Sequence, residues 1–359
     1  MDYDAAYSED DMRGRMLGVA GVSMVMAVVG ASAAKPHINP MVTRLEQKQA
    51  VFGLYLPAAR AGGGGRQGAP GATPATPAPA PRTPAERAKD ALAFTASDFL
   101  FDGSMEGGVE RGLPAYTEML AALVDGGLQI KTPAPHLSHS LVVKMQEIGT
   151  DYAKATQAIG QQLNAGVTTI MFVGTESAAE VEAGLKAMRF RSKGGTRDEA
   201  SVGNAPKVWG VSEAEYRKNA DLWPLNADGE LVNWTIVESK EGLKHVREIA
   251  AVKGIGVLWP GAGTLRQVFS SPKIGADGKQ ELGPNGRGVT VLDQEAWEAA
   301  IQQVLAACKE FNVPCGYPSN TPEDMEARYK QGFRVFVANW GDSGFKMVEH
   351  GLEVSGRKK

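Results

Sequence analysis

The chain has 359 residues, of which 43% are hydrophobic and 22% charged, enough to bury a full core in one or two domains. Its formal net charge of -3 gives no reason to expect a nucleic-acid partner, because proteins that bind nucleic acids usually have strongly basic surfaces. Two cysteines are too few for a disulfide framework. Cys308 falls on a predicted helix and Cys315 on a predicted buried strand, so free core thiols are expected rather than a bridge.

Residues 1–33 have the features of a leader and signal peptide. Two arginines precede an apolar run at 16–30, and small residues follow it at 31–33. A basic region, an apolar region of this length and a small-residue site are typical of a secretory signal. We expect cleavage after Ala33, export to the periplasm or the medium, and no stable membrane span afterwards. An uncleaved signal anchor is the alternative.

The first predicted strand, Val51–Leu56, is followed by a segment rich in proline, alanine and glycine at 59–85. Such a composition cannot bury apolar surface, so the segment is expected to be a disordered insertion. It follows a strand, so it is expected at that strand's carboxyl end, as a lid or as a solvated tether. The main domain then begins at 34–58 and continues over 86–355, and a short basic tail occupies 356–359.

After the insertion, apolar strand-like runs alternate with amphipathic helical patterns. Repeated alternation is typical of a parallel sheet, and eight such units predict an α/β fold of the (β/α)8 TIM barrel type. An open doubly wound sheet is the alternative. The predicted strands are Val51–Leu56, Asp98–Asp102, Leu128–Thr132, Thr169–Val173, Asn233–Val237, Gly254–Trp259, Val313–Tyr317 and Arg334–Ala338.

Apolar residues at helical spacing predict several of the connecting helices, whereas the segment Arg191–Asn226 is predicted to be a long loop excursion above the fourth strand. The predicted helices include Tyr152–Asn164, Ala178–Arg189, Gln294–Phe311 and Pro322–Gln331.

A candidate site lies where the fifth and sixth predicted strands end. The fifth is followed by Glu238, and the sixth runs into the turn Pro260-Gly261-Ala262-Gly263. Catalytic groups of parallel barrels sit at the carboxyl ends of strands, where a carboxylate is a good ligand for Mg²⁺ or Mn²⁺. Backbone N–H groups of the turn predict an anion cradle, with Gly261 and Ala262 as substrate-binding residues. The structural alternative is that Glu238 caps the following helix.

Much of the chain, from about residue 39 to residue 352, resembles the HpcH/HpaI aldolase and citrate lyase family, typified by 4-hydroxy-2-oxoheptanedioate aldolase. Each resembling stretch coincides with a strand, a turn or a helix start of that family. These stretches are Val51–Leu56, Ser97–Gly103, Leu163–Val173, Ala178–Val181, Met188–Phe190, Ser201–Ala205, Ile236–Ser239 and Gln331–Ala338, followed by Asp342.

The resemblance implies a TIM barrel of the phosphoenolpyruvate/pyruvate type and a class II aldolase. Such an enzyme makes or breaks a carbon–carbon bond of a 2-oxo acid through an enolate stabilised by a divalent metal, Mg²⁺ or Mn²⁺. Glu238 matches the family's metal ligand, and Asp102 matches its second-strand aspartate and is assigned a catalytic role. Gly203 lies in a turn that resembles a family turn and is assigned to substrate binding. Family members assemble through C-terminal helices, so a homo-oligomer is expected, with Phe345–Val354 as the contact.

Several family positions hold other residues in this chain. The glutamate and histidine that follow the family's aspartate-glycine are Ser104 and Met105, and the second metal aspartate is Gly263. The arginine that ends the family's third strand has no match in Pro133–His136. The chain therefore keeps the family's element order but lacks much of its site chemistry.

Two hypotheses follow from these replacements. In a rewired site, His136 serves as the catalytic base and His139 as a metal ligand beside Glu238. Imidazole ligands would shift the metal preference toward Zn²⁺ or Fe²⁺. Alternatively, the barrel is catalytically inactive and binds a small carboxylate in the periplasm.

Overall fold

The computed structural model of the chain describes residues 36–59 and 80–358. The predicted signal peptide and most of the predicted insertion lie outside these residues. The two described ends of the insertion meet, because the backbone N–H of Arg82 donates to the carbonyl of Ala59 at 2.7 Å. Within the described ranges, no helix combines the length and the apolar character needed to cross a bilayer.

In the described part of the chain, a parallel sheet of nine strands forms the centre of the fold, and two short antiparallel hairpins lie outside it. In chain order the strands are β1 Val51–Tyr55, β2 Phe99–Asp102, β3 Gln129–Ile130, β4 His136–Leu137, β5 Ser140–Lys144, β6 Thr169–Phe172, β7 Leu222–Trp223, β8 Leu231–Val237, β9 Val257–Pro260, β10 Ser270–Pro272, β11 Thr290–Leu292, β12 Gly316–Pro318 and β13 Val335–Ala338.

The main sheet is barrel-like. Its strands follow the order β12-β13-β1-β2-β5-β6-β8, with β9 and the two-residue β7 also paired to β8. The strand pairing of β9 with the chain just before β12 is a single parallel bridge, Leu258 to Cys315, and the N–H of Leu258 donates to the carbonyl of Pro314 at 2.9 Å. All pairs within this sheet are parallel. The expected mixed α/β fold with a parallel sheet is therefore confirmed.

Helices connect successive strands, and their ends carry the expected local signals. Thr321 accepts the N–H of Asp324 and precedes a proline at the start of one helix. Gly166 ends another in a left-handed conformation, with φ 114°. The helices are α1 Pro40–Glu46, α2 Pro84–Ala93, α3 Val109–Asp125, α4 Tyr152–Ala165, α5 Ala178–Met188, α6 Ala205–Trp209, α7 Glu213–Asn219, α8 Lys240–Lys244, α9 Val246–Ala251, α10 Ala262–Val268, α11 Gln294–Glu310, α12 Pro322–Gln331 and α13 Asp342–Val354, with a 3-10 turn at Arg191–Lys193.

The third predicted strand is wrong, while the other seven match observed strands within a few residues. Within Leu128–Thr132 only two residues are in a strand, and these pair in the small β3–β4 hairpin. The third strand of the main sheet is β5, Ser140–Lys144, which pairs with β2 and β6. Its first four residues are buried, as expected of a central parallel strand.

The predicted loop excursion at Arg191–Asn226 is also structured. It contains α6, α7 and β7. A reciprocal capping box between Ser212 and Glu215 starts α7, and Gly210 ends α6 in a left-handed conformation. The excursion leads from the end of α5 to the start of β8, so it lies at the amino edge of the sheet, not above the fourth strand.

Alternate residues of the strands fill the interior of the barrel-like sheet. Trp234 and Trp259 are at most 1% exposed, and their ring centroids lie 4.7 Å apart. Phe101 stacks on Trp234 at 5.9 Å. Helix α1 covers the amino edge and contributes Met41 and Leu45 to the same interior cluster. The interior is therefore a packed core, as parallel barrels have.

The two cysteines form a disulfide, so the expectation of free thiols is wrong. Cys308 near the end of α11 is bonded to Cys315 just before β12, with a Cα–Cα distance of 5.6 Å. The chain turns directly from the helix into the strand, which brings both side chains to the interface between α11 and the sheet. Both residues are buried.

We expect no reactive thiol in oxidised, denatured protein and two after reduction. The double variant Cys308→Ser/Cys315→Ser should lose about 2–3 kcal/mol of unfolding free energy, because the bridge closes a short loop in the unfolded chain. Thiol titration and urea unfolding check both statements, with reduced wild-type protein as the control. Two free thiols in protein purified without reductant would contradict the bridge.

Candidate functional site

Glu238 lies at the carboxyl edge of the sheet, where the residues that follow the parallel strands meet. Its Oε1 accepts the backbone N–H of Gly174, which follows β6, at 2.9 Å. Gly261, in the turn after β9, packs so closely that an added Cβ would stand 2.2 Å from the Cβ of Glu238. The cap of α8 is Ser239, so the helix-cap alternative for Glu238 is wrong. The structure thus brings Glu238 and Gly261 together.

Lys144, the last residue of β5, provides a cation at the same edge. Val142, two residues earlier, points into the sheet interior, and alternation along a strand puts Lys144 on that side. Its Nζ lies 3.1 and 3.2 Å from the two carboxylate oxygens of Glu106. The Lys144 side chain is only 18% exposed. Lys144 was not predicted as a site residue, because the third strand was predicted too early in the chain.

Asp102 and Tyr55 complete a group of four that we call the Lys144 cluster: Tyr55, Asp102, Glu106 and Lys144. Asp102 ends β2, and its Oδ1 accepts the backbone N–H of Ser104 at 2.8 Å. Tyr55 ends β1 and packs edge-on against Phe101. Burial, and then the nearby Glu106 and Asp102 carboxylates, raise the pKa of Tyr55 to about 12. Its phenol therefore keeps its proton at any ordinary pH.

The described residues do not supply the metal ligands that the resemblance implies. Glu238 is present, but Gly263 stands at the second aspartate position, with nothing within 4 Å of an added Cβ. Met105, at the family's histidine position, is fully buried and faces Gln162. Across residues 36–59 and 80–358, no group of three or more His, Cys, Asp or Glu could hold a metal ion.

His136 and His139 lie at the opposite, amino edge of the sheet, because they precede β5 instead of following a strand. His139 is 1% exposed, and its ring nitrogens lie 2.9 Å from Ser138 Oγ and 3.3 Å from the carbonyl of Phe94. Nδ1 of His136 lies 2.8 Å from the carbonyl of Ala134. The structure does not bring either histidine to Glu238. The histidines were expected at the carboxyl edge because the third strand was predicted to end before them, whereas the observed third strand, β5, begins after them.

The remaining predicted substrate contacts fall in two places. The backbone N–H of Asn204, next to Gly203, donates to the carbonyl of Asn164 at 2.8 Å. Asn164 lies at the end of α4, a helix that returns to the amino edge, so Gly203 is not at the candidate site. Ala262 begins α10 beside Gly261. The N–H of Gly261 already donates to the carbonyl of Val237 at 2.8 Å, so it is not available to the expected anion cradle.

Comparisons with known proteins agree with this architecture. No protein-family model matches the chain. A solved HpcH/HpaI aldolase/citrate lyase family protein from Burkholderia cenocepacia has a similar structure, with a TM-score of 0.57 and 19% identity, over 89% of this chain and 98% of that one. The sequence resemblance to this family is therefore confirmed by the fold.

Two curated relatives have names that give an activity. Both are hydroxypyruvate/pyruvate aldolases. The one from Paraburkholderia phytofirmans is 24% identical over 63% of this chain and 69% of its own. The one from Delftia acidovorans is 27% identical over 63% of this chain and 68% of its own. Relatives of this chain are thus aldolases.

Gly261→Ala should displace Glu238 and lower the unfolding free energy by about 1–3 kcal/mol, because the new Cβ overlaps the glutamate. Gly263→Ala, two residues away, is a matched control: it has open space and a helical position where alanine is favoured. Thermal unfolding of both variants checks this. Equal melting temperatures would contradict the close packing of Gly261 on Glu238.

Burial lowers the pKa of His139 below its usual 6.5. The folded protein therefore holds this ring neutral while the unfolded chain takes up a proton, so His139 should cost stability as the pH falls below about 6.5. Urea unfolding between pH 5 and 8 should show this loss in wild-type protein and a smaller one in His139→Gln. The exposed His245, whose pKa is raised by its hydrogen bonds to Glu248 and Glu241, gives a control of opposite sign. Parallel curves for wild type and His139→Gln would contradict the buried neutral ring.

Proposed function

We propose that this protein is a carbon–carbon lyase of the aldolase type that acts on a 2-oxo acid. The observation that carries the proposal is the Lys144 cluster, which joins a poorly exposed cation, a carboxylate and a protonated phenol at the edge that also holds Glu238. The aldolase names of the curated relatives support it. We also propose that the sheet closes into a (β/α)8 TIM barrel, for which the Leu258–Cys315 bridge is the support.

Lys144 is proposed to bind the substrate and stabilise the negative charge that forms during bond cleavage. A 2-oxo acid has a carboxylate next to a carbonyl, and both accept hydrogen bonds from an ammonium group. When the carbon–carbon bond breaks, its electron pair forms an enolate whose charge is on the former carbonyl oxygen. A fixed cation with little exposure to water stabilises that charge more than bulk solvent does.

Glu106 is proposed as the proton acceptor of the cleavage step. Substrate binding to Lys144 frees the Glu106 carboxylate, which takes the proton of the substrate's 4-hydroxyl group as the bond between carbons 3 and 4 breaks. The products of this step are an aldehyde and the enolate. Return of the proton to carbon 3 gives the shorter 2-oxo acid. Tyr55, which keeps its proton, is a hydrogen-bond donor beside the two carboxylates.

A divalent metal is implied by the resemblance, but the described residues provide only Glu238 of its ligand set. One oxygen of Glu238 already accepts the N–H of Gly174. We therefore assign no step to a metal. The second candidate function, an inactive barrel that binds a small carboxylate, is favoured by the buried Met105 at the family's histidine position. It uses the same Lys144 cation without turnover.

We further propose that the protein is exported. The basic and apolar leader at 1–33 supports this, and so does the disulfide, because such bonds persist mainly in oxidising compartments. Homo-oligomer formation stays a prediction. In the described structure α13 packs on its own chain, with Gly351 close against Phe52.

Lys144→Met should lower aldolase turnover by about 100-fold or more, because it removes the cation that stabilises the enolate. Lys144→Arg should keep part of the activity, and Lys186→Met, at an exposed position on α5, should keep all of it. The assay follows pyruvate release from 4-hydroxy-2-oxo acids after chelator treatment. Full activity in Lys144→Met would contradict the proposal.

Two other outcomes have defined meanings. If wild-type protein binds pyruvate through Lys144 but turns over no substrate, the inactive barrel is the correct function. If chelator abolishes activity and Mn²⁺ restores it in wild type but not in Glu238→Ala, a metal site exists and our assignment without metal is wrong.

A further inference from the structure

A cavity of about 920 Å³ opens at the amino edge of the sheet, opposite the Lys144 cluster. Its lining residues precede strands instead of following them: Gln49 precedes β1, Gly254 precedes β9 and Pro314 precedes β12. The proposed lyase chemistry uses none of these residues. The cavity is therefore separate from the candidate site and needs its own explanation. We call it the amino-edge cavity.

Apolar side chains form its walls. Trp223 and Phe311 are half-buried there, and Leu225, which packs close to Gly254, is 43% exposed. Leu45 and Trp223 also contact the interior cluster of the sheet. The disulfide between Cys308 and Cys315 forms part of the wall. The cavity is thus a preformed apolar space held by the core and by a covalent bond.

Cations surround this apolar space. Lys48, Lys253 and Lys309 line it and are exposed, and none of their ammonium groups has a hydrogen bond or ion pair within residues 36–59 and 80–358. Arg334 also lines it and donates to two backbone carbonyls. The one acidic residue of the lining, Glu46, lies 3.2 Å from Nε2 of His37. The rim of the cavity is therefore positively charged.

We propose that the amino-edge cavity binds an amphipathic anion, a medium-chain carboxylate whose chain enters the apolar space and whose head lies among the three lysines. The volume is within the range of small-molecule sites, roughly 300–1,000 Å³. A neutral apolar ligand would leave the lysines unused, and a small polar anion would leave the apolar walls exposed. The apolar walls and the positively charged rim together favour a ligand that has an apolar chain and an anionic head group. This inference is independent of the proposed lyase activity.

The probe is decanoate, titrated into the full chain by calorimetry and followed by tryptophan fluorescence. Trp223 lines the cavity and should report binding, whereas Trp234 and Trp259 are buried in the sheet interior. Decanol, which has the same chain without the charge, is the ligand control. Decanoate should bind at one site per chain, at least tenfold more tightly than decanol, and the fluorescence change should be lost in Trp223→Phe.

Two sets of variants separate the parts of the site. The triple variant Lys48→Ala/Lys253→Ala/Lys309→Ala should weaken decanoate binding about tenfold, as expected for three exposed ionic contacts, and leave decanol binding unchanged. A control triple variant at three exposed lysines elsewhere should have no effect; these are Lys89, Lys186 and Lys346. Leu225→Asp should abolish binding of both probes. Because Leu225 is partly exposed, this variant should fold, and its melting temperature verifies that.

Three results would overturn the proposal. The first is no saturable decanoate binding to the full chain. The second is equal weakening in the two triple variants, which would mean non-specific attraction. The third is a wild-type dimer in sedimentation that Leu225→Asp converts to a monomer, since the cavity would then be an interface between copies. Aldolase turnover should be unchanged in Leu225→Asp, so failure of this proposal and failure of the lyase proposal are distinguishable.

Discussion

The common direction of the strands in the central sheet is the constraint on which the rest of the structure depends. Every residue that follows a strand is brought to one edge, and every residue that precedes a strand is brought to the other. Glu238, Gly261 and Lys144 therefore share the carboxyl edge, whereas His139 lies at the amino edge. Between the edges, Trp234 and its aromatic neighbours fill the interior. The two edges are thus separate surfaces of one rigid core, and each can hold its own chemistry.

The chemistry of the carboxyl edge differs from that of the family whose fold it shares. A fold alone does not determine a reaction, because function depends on the groups placed in the site. Here the second metal aspartate is Gly263 and the histidine is the buried Met105, while Lys144 pairs with Glu106. We propose that Lys144 stabilises the enolate oxygen in place of the metal. The proposed activity therefore depends on one cation, Lys144, and on β5, the strand that positions it.

Most of the fold could be predicted from the sequence, because the apolar runs of seven strands are bounded by helices with clear periodicity. The third strand could not. Leu128–Thr132 is an apolar run of strand length, but it pairs only in a hairpin, and Ser140–Lys144 takes its place in the sheet. Strand pairing is a tertiary property, and two short runs so close in sequence give similar local signals.

That one error accounts for much of what was missed at the site. His136 and His139 were expected to follow the third strand of the sheet, but they precede the observed third strand, β5. Lys144, the last residue of β5, was not considered as a site residue. The disulfide was missed for a different reason. The sequence places Cys308 on a helix and Cys315 on the next strand, but it does not show that the two side chains face each other across the interface between them. Glu238 was placed correctly because its strand, its helix and the next strand all have unambiguous patterns.

The most direct test of the central claim is proton exchange at the methyl group of pyruvate, measured by NMR in D₂O with chelator-treated protein. In the proposed mechanism, enolate formation from pyruvate requires no second substrate, so exchange reports the step that Lys144 is proposed to stabilise. The expected result is loss of the methyl proton signal well above the buffer rate with wild-type protein, and no acceleration with Lys144→Met. A methyl signal that decays at the buffer rate with wild-type protein, or equally fast with both proteins, would contradict the account.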